Sequence, residues 1–142
     1  MTLRMDEIKA GETRERVVVA DLKRTQIVQY AGASGDFNPL HTDREFAVES
    51  AGYPGVFAHG MLTMGMTGRV LTEWFGRENL VRFGVRFKAQ VWPGDTLTVT
   101  ATVAEVVAGE HGAVAAISLR TVNQDGVVVV SGTAAAKLDG PA

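Results

Sequence analysis

The stretch that decides the fold is "GMLTMGMTGRVLTEWFG", residues 60–76. Apolar side chains occupy most of the circumference of a helix drawn on these residues, which predicts a helix buried on several sides. Gly65 and Gly68 fall inside this helix, and each lowers helix stability by about 1 kcal/mol relative to alanine. Their presence in the helix is explained if another backbone or a ligand comes close to the face on which they lie.

From residue 80 onward the sequence is typical of strands separated by tight turns. The turn signals are "PGD" at 93–95, "GEHG" at 109–112 and "NQDG" at 123–126, and β-branched runs lie between them. Short connections between successive strands predict an antiparallel meander. One apolar helix with such a sheet favours an α+β fold in which the sheet wraps around the helix.

Upstream of the long helix the sequence predicts a strand over 15–22 and a helix over 24–34. The segment that follows, "GDFNPLH" at 35–41, places a carboxylate, an amide, a proline and an imidazole within seven residues. Pro39 removes a backbone donor and disfavours a helical Asn38, so we expect an irregular but rigid loop.

The bulk composition fits one globular domain over residues 1–142, with 46% hydrophobic and 21% charged residues. A net charge of −2 gives no general field for polyanions, so we expect no nucleic-acid partner. No cysteine is present, which excludes disulfides and thiolate chemistry and suits a reducing compartment. The start has no apolar run typical of a signal peptide, and no stretch is long enough for a membrane span. We therefore expect a cytoplasmic protein with no membrane partner.

Two spans, "YAGASGDFNPLH" at 30–41 and "AHGMLTMG" at 58–65, resemble the MaoC-like family of (R)-specific enoyl-thioester hydratases. Over nearly its whole length the chain is similar to the catalytic β subunits of mycobacterial (3R)-hydroxyacyl-ACP dehydratases within that family. The resemblance implies the hot dog fold, in which a curled antiparallel sheet wraps a long helix and pairs of folds share a continuous sheet. It implies reversible syn addition of water to trans-2-enoyl thioesters. Thioesterases and non-catalytic acyl-binding subunits use the same scaffold, so both remain alternatives.

By resemblance, Asp36 and His41 fall on the catalytic pair of the family. An imidazole is suited to moving a proton near neutral pH. In the dehydration direction we assign His41 to the C2 proton and Asp36 to the departing hydroxyl, with the roles reversed in hydration. We expect Asn38 to hold the loop or the imidazole in place. The non-catalytic alternative is an Asx-type turn with a surface histidine.

We expect the backbone amide of Gly60 to bind the thioester carbonyl, because unsatisfied N–H groups at a helix N-terminus stabilise developing enolate charge. The alternative is an ordinary glycine at a helix start. His59 is expected to be a supporting residue that is hydrogen-bonded there. Asp36, His41 and His59 resemble a two-histidine, one-carboxylate metal set, but nothing in their spacing brings them together, so we expect no metal. No other cofactor is expected either.

The strand "VRFGVRFKA" at 81–89 alternates apolar and basic side chains. We expect its apolar members to pack on the central helix: Val81, Phe83, Val85, Phe87 and Ala89. Arg82, Arg86 and Lys88 face the other way and are candidates for the phosphates of coenzyme A or phosphopantetheine, or for an acidic carrier protein. The alternative is a solvated sheet face.

Three further points stay open at the level of sequence. The acyl chain length, the thioester carrier and the choice between a homodimer and a heterodimer with a related hot dog subunit have no sequence signal. Some relatives carry a serine two turns into the long helix, where this chain has Gly68. Thr63 or Thr67 is a candidate replacement, and the missing side chain suggests a wider acyl tunnel.

Overall fold

The computed structural model describes residues 1–141. One long helix lies against a five-stranded antiparallel sheet, as the sequence predicts for an α+β fold. Among the described residues, no helix is long and apolar enough to cross a membrane.

The elements follow one another in a simple order. The helices are α1 (Arg24–Ser34) and α2 (Gly60–Phe75), with a 3₁₀ turn (Pro39–His41) and a single π turn (Phe46–Ser50) between them. The strands are β1 (Thr13–Val19), β2 (Leu80–Phe87), β3 (Leu97–Gly109), β4 (Gly112–Val122) and β5 (Val128–Leu138). The predicted strand at 15–22 therefore begins and ends earlier, while the bounds predicted for α1 are confirmed.

The sheet has the strand order β1-β3-β4-β5-β2. Strands β3, β4 and β5 form the predicted meander, since each is joined to the next by a short turn. The first two strands add to its outer edges: β1 pairs with β3 and β2 pairs with β5. As a result β2 is an edge strand, with one side of its backbone unpaired within this chain.

Helix α2 fills the concave side of the sheet. Its second half carries the largest buried side chains, including Leu71, Trp74 and Phe75. The sheet residues facing them are mostly small or β-branched: Val99, Ala101, Val103, Ala115, Ile117, Ala134 and Ala136. Alternation of buried and exposed side chains in β3 and β4 produces this single apolar face. The small alanines let the bulky helix approach the sheet closely.

The alternation predicted for 81–89 holds only in part. A register shift lies between Leu80 and Arg82, and a bulge of this kind interrupts the two-residue period. The prediction that Val81 packs on the helix is wrong, since its side chain is 48% exposed. Phe83 and Phe87 do reach the helix, next to Gly68 and Gly60 respectively, although Phe87 is 52% exposed.

Candidate active site

The loop after α1 is held by its own side chains. Gly35 ends the helix in the left-handed conformation, with φ of 75°, which glycine adopts without steric cost. A carboxylate oxygen of Asp36 accepts the N–H of Asn38 at 3.2 Å, and the side-chain oxygen of Asn38 accepts the N–H of Leu40 at 3.0 Å. These two Asx turns lead directly into the 3₁₀ turn that carries His41. Asn38 thus contacts the loop backbone.

The imidazole of His41 is only 9% exposed, and its tautomer is fixed. Its Nδ1 lies 2.6 Å from the carbonyl oxygen of Phe57. Because a carbonyl oxygen only accepts hydrogen bonds, Nδ1 carries the hydrogen. The lone pair of the neutral ring is therefore on Nε2, which is left available to take a proton.

His59 lies directly against this ring. The two imidazoles are stacked with centroids 3.8 Å apart and planes inclined by 26°. His59 is 1% exposed, and its Nε2 donates to the carbonyl oxygen of Asp36 at 3.0 Å. The ring of Tyr30 meets His59 edge-on at 4.8 Å. Thus a single buried side chain joins the start of α2 to both ends of the loop at 36–41.

The structure brings Asp36, His41 and His59 together, with one nitrogen or carboxylate oxygen of each lying within 4.8 Å of the others. The expectation that nothing brings these three together is wrong. Ring stacking and hydrogen bonds to backbone carbonyls bring them together, and the spacing of the residues along the chain predicts neither. One water can reach both an oxygen and a nitrogen at this separation, since each hydrogen bond spans about 2.8–3.0 Å. A carboxylate and an imidazole that share one water are suited to moving two protons.

This cluster does not fit a metal ion well. Ligand atoms around a tetrahedral zinc lie about 3.4 Å apart, given bonds of about 2.1 Å. The two rings are nearly parallel, so their in-plane lone pairs do not converge on one point. His41 Nδ1 and His59 Nε2 are each occupied by a carbonyl oxygen, and His59 Nδ1 is fully buried without a partner.

Gly60 is the first residue of α2, and no hydrogen bond among residues 1–141 uses its N–H. Beside it lies a crevice of about 330 Å³, lined by Phe57, Gly60, Thr63, Phe87 and Lys88 among others. This crevice is where a thioester carbonyl can approach the helix N-terminus. A Cβ on Gly60 would lie 3.1 Å from the Phe87 ring, so glycine keeps the approach open.

Asp36 and His41 are not part of the wall of that crevice. The side of the cluster near Asp36 is open to solvent, and the Phe37 beside it is 69% exposed. An apolar slot around Asp36 and His41 is therefore absent from residues 1–141 taken as a single chain. Exposed apolar side chains also surround the helix start, with Met61 57% and Phe87 52% exposed, as is typical of a surface that contacts a partner.

The three basic residues predicted to bind the substrate do not lie in one place. Lys88 lines the crevice beside Gly60. Arg86 lies in a different groove on the outer face of the sheet, with Ser131 and Thr133. Arg82 is exposed on the same strand and lines neither space.

At Gly68, the position that corresponds to a serine in some relatives, an aromatic ring takes the place of the missing side chain. A Cβ on Gly68 would lie 3.0 Å from the Phe83 ring, so the aromatic ring fills the room and no wider tunnel opens there. Thr67 is committed to the core through a 2.6 Å hydrogen bond with Thr121. Thr63 is buried in the helix wall of the crevice.

Sequence reasoning missed Phe57, whose carbonyl orients His41 and whose ring also contacts it at 5.2 Å. Its contribution is made through the backbone, so the residue type carries no signal. Tyr30 was missed as well, although it begins one of the two spans that carry the resemblance.

Comparisons with known proteins identify the family of the chain. The profile of the family described as MaoC like domain matches residues 7–124. The chain is 39% identical over 106 residues to 3-hydroxyacyl-thioester dehydratase Y of Mycobacterium tuberculosis, a match that covers 67% of this chain and 35% of that protein. The chain therefore spans about a third of that relative. It is 32% identical over 115 residues to the (R)-specific enoyl-CoA hydratase of Aeromonas caviae, covering 80% of this chain and 84% of that enzyme.

The solved structure of an (R)-hydratase from A. caviae involved in PHA biosynthesis superposes with a TM-score of 0.80 at 26% identity, covering 92% of this chain and 97% of that chain.

Proposed function

The chain belongs to the MaoC-like domain family, and from this premise we propose that it adds water reversibly to trans-2-enoyl thioesters. The product is an (R)-3-hydroxyacyl thioester, and the enzyme is a hydro-lyase of fatty-acid-type metabolism. One observation carries the proposal: a carboxylate and an imidazole converge within reach of one water at the N-terminus of a helix in the hot dog fold.

In hydration, Asp36 takes a proton from the water while the hydroxyl oxygen bonds to C3. The electron pair of the double bond moves to the thioester oxygen, where the Gly60 N–H stabilises the enolate. His41, protonated at Nε2, then delivers a proton to C2. One proton thus moves from water to Asp36 and one from His41 to carbon, and exchange between the two side chains restores the starting state. Dehydration follows the same steps in reverse.

The static geometry supports these roles. Because Nδ1 of His41 is held by the Phe57 carbonyl, only Nε2 is available to exchange a proton. A preorganised N–H donor at developing negative charge contributes about 3–4 kcal/mol to lowering the barrier. The reaction is redox-neutral and transfers no group, so it needs no resident cofactor.

Lys88 is the cation best placed to meet the substrate, because it lines the crevice beside Gly60. Arg82 and Arg86 remain candidates for contacts with the thioester carrier along the outer face of β2. The carrier is coenzyme A or an acyl carrier protein.

We also propose that the working unit is a pair of hot dog folds, either two copies of this chain or this chain with a related subunit. The unpaired edge of β2 and the exposed Phe37, Met61 and Phe87 support it. A partner across this edge would cover the open side of Asp36 and supply the apolar slot that the single chain lacks. Size measurement by light scattering, with and without a candidate second subunit, tests this assembly.

The test of the reaction follows one substrate with two detectors. Crotonyl-CoA or a longer enoyl-CoA is incubated with the protein while the conjugated thioester absorbance and free thiol are recorded together. We expect loss of absorbance without thiol, and oxidation of the product only by an (R)-specific 3-hydroxyacyl-CoA dehydrogenase. Thiol release would instead identify a thioesterase. No reaction by the chain alone or with its subunit would identify a non-catalytic acyl-binding protein.

A further inference from the structure

A second groove is lined by residues that precede and follow those of the crevice in sequence, and it contains neither the Asp36–His41–His59 cluster nor the helix start. It has a volume of about 350 Å³, within the range of small-molecule sites. Arg24, Arg44, Pro54, Trp92 and Pro93 supply most of its wall. Two arginines from separate parts of the chain therefore line one space together with an aromatic residue and two prolines.

The two arginines carry no partner of their own. Among residues 1–141, neither Arg24 nor Arg44 takes part in an ion pair or a side-chain hydrogen bond. Of the acidic side chains nearby in sequence, Asp21 pairs with Lys23 and Asp43 accepts the N–H of Phe46. Glu45 is exposed and, within the part of the chain that the structure describes, forms no ion pair with either arginine. Two free guanidinium groups in one groove favour a ligand with phosphate groups.

Trp92, the aromatic wall of the groove, is held through its backbone and one ring contact. The backbone N–H of Trp92 donates to a carboxylate oxygen of Asp95 at 2.9 Å, and the indole ring meets Phe57 edge-on at 5.7 Å between centroids. Asp95 is buried, and its other oxygen accepts from Gln124 at 3.0 Å, so its carboxylate is not free to pair with the arginines. A fixed indole between prolines suits a flat ring such as a nucleobase.

Two paired chain segments link the groove to the proposed catalytic crevice, and among residues 1–141 the two spaces share no lining residue. Residues 54–60 run beside residues 88–93, and the N–H of Ala58 donates to the carbonyl of Val91 at 2.8 Å. One end of this pair of segments lines the nucleotide-sized groove and the other lines the crevice at Gly60. Gly55 and Gly60 are separated by at most about 18 Å of chain, a distance that an extended phosphopantetheine arm covers.

We propose that this groove binds the 3′-phosphoadenosine end of coenzyme A, so that the substrate is an acyl-CoA whose thioester lies at Gly60. The inference rests on the proposed function for the thioester end, but not for the nucleotide end. A carrier protein would present an acidic surface without a nucleobase, and the Trp92 face would then have no ligand group to stack on.

The test begins with binding alone, using adenosine 3′,5′-bisphosphate as the probe. The chain has two tryptophans, and Trp74 is 4% exposed in the core, so quenching of tryptophan fluorescence reports on Trp92. We expect saturable quenching that is lost in Trp92→Phe, and an affinity at least about tenfold weaker in Arg24→Ala/Arg44→Ala. Arg120→Ala is the matched control, because Arg120 is an exposed arginine on the outer face of the sheet.

The kinetic arm compares crotonyl-CoA with crotonyl-pantetheine. The double arginine variant should raise KM for the CoA ester about tenfold or more and leave the pantetheine ester unchanged. Bisphosphate binding that is unaffected by this variant, or that is lost instead in Arg86→Ala, overturns the proposal. So does a rate loss confined to a carrier-protein substrate. If binding behaves as expected but no hydration occurs, the proposed function fails while the nucleotide site stands.

Discussion

Two glycines in one helix should respond in opposite directions to the same substitution. Gly65 is exposed, and nothing lies within 4 Å of a Cβ added there. Gly65→Ala should therefore stabilise the protein by about 0.5–1 kcal/mol through helix propensity alone. At Gly68 a Cβ would lie 3.0 Å from the Phe83 ring, and overpacking of that kind costs about 1–3 kcal/mol. The same propensity gain offsets only part of this cost, so Gly68→Ala should be destabilising by up to about 2 kcal/mol.

Urea unfolding measures the difference. With a slope of about 1–3 kcal/mol per molar urea, we expect the Gly65→Ala midpoint to lie about 0.5–1.5 M above that of Gly68→Ala. Adding Phe83→Leu to Gly68→Ala should recover most of the loss, because the shorter side chain vacates the space. If Gly68→Ala stabilises the protein as much as Gly65→Ala, the Phe83 ring does not fill that space. The expectation of a wider acyl tunnel would then return.

The remaining predictions concern one functional and one structural hydrogen bond. His59→Phe keeps a ring against His41 but loses the hydrogen-bond donor to the Asp36 carbonyl. We expect the free energy of unfolding to change by about 1 kcal/mol or less, and kcat/KM for hydration to fall about tenfold because the loop is no longer held in place. Unchanged kinetics would show that this hydrogen bond has no role in the reaction. Thr67→Val alone leaves the buried hydroxyl of Thr121 without its partner and should lower the free energy of unfolding, measured in urea, by about 1–3 kcal/mol. The double variant Thr67→Val/Thr121→Val should lie within about 1 kcal/mol of the parent. If the stability losses of the two single variants simply add in the double variant, the two hydroxyls are not bonded to each other.

Local patterns predicted much of the fold. The α1 helix, the buried α2 helix and the β3-β4-β5 meander follow from apolar periodicity and from turn residues, which act over a few positions. The register shift after Leu80 was not predictable, because it depends on how β2 pairs with β5, some 50 residues away along the chain. Its result is that Val81 faces solvent although the alternation assigns it to the core.

The candidate site was predictable in residue types but not in arrangement. The motif around Asp36 and His41 resembles a known family, and this supplied the acid–base pair. The stacking of His59 on His41 could not be read from the spacing, because it requires the segment before α2 to fold back so that the Phe57 carbonyl reaches the imidazole. The same folding brings together the metal-like cluster that the spacing alone did not suggest.

The most direct test of the account is the hydration rate of crotonyl-CoA in Asp36→Asn and His41→Gln, measured on protein whose folding is verified by urea unfolding. Asn keeps the size of Asp, and Gln keeps a polar side chain of similar length to His, but neither amide exchanges a proton, so we expect kcat/KM to fall at least about 10²-fold in each variant. The double variant should lose little more than the worse single one, because the two side chains move the two protons of one addition and act as a unit. Near-parental rates in both single variants would contradict the assignment of the chemistry to this pair.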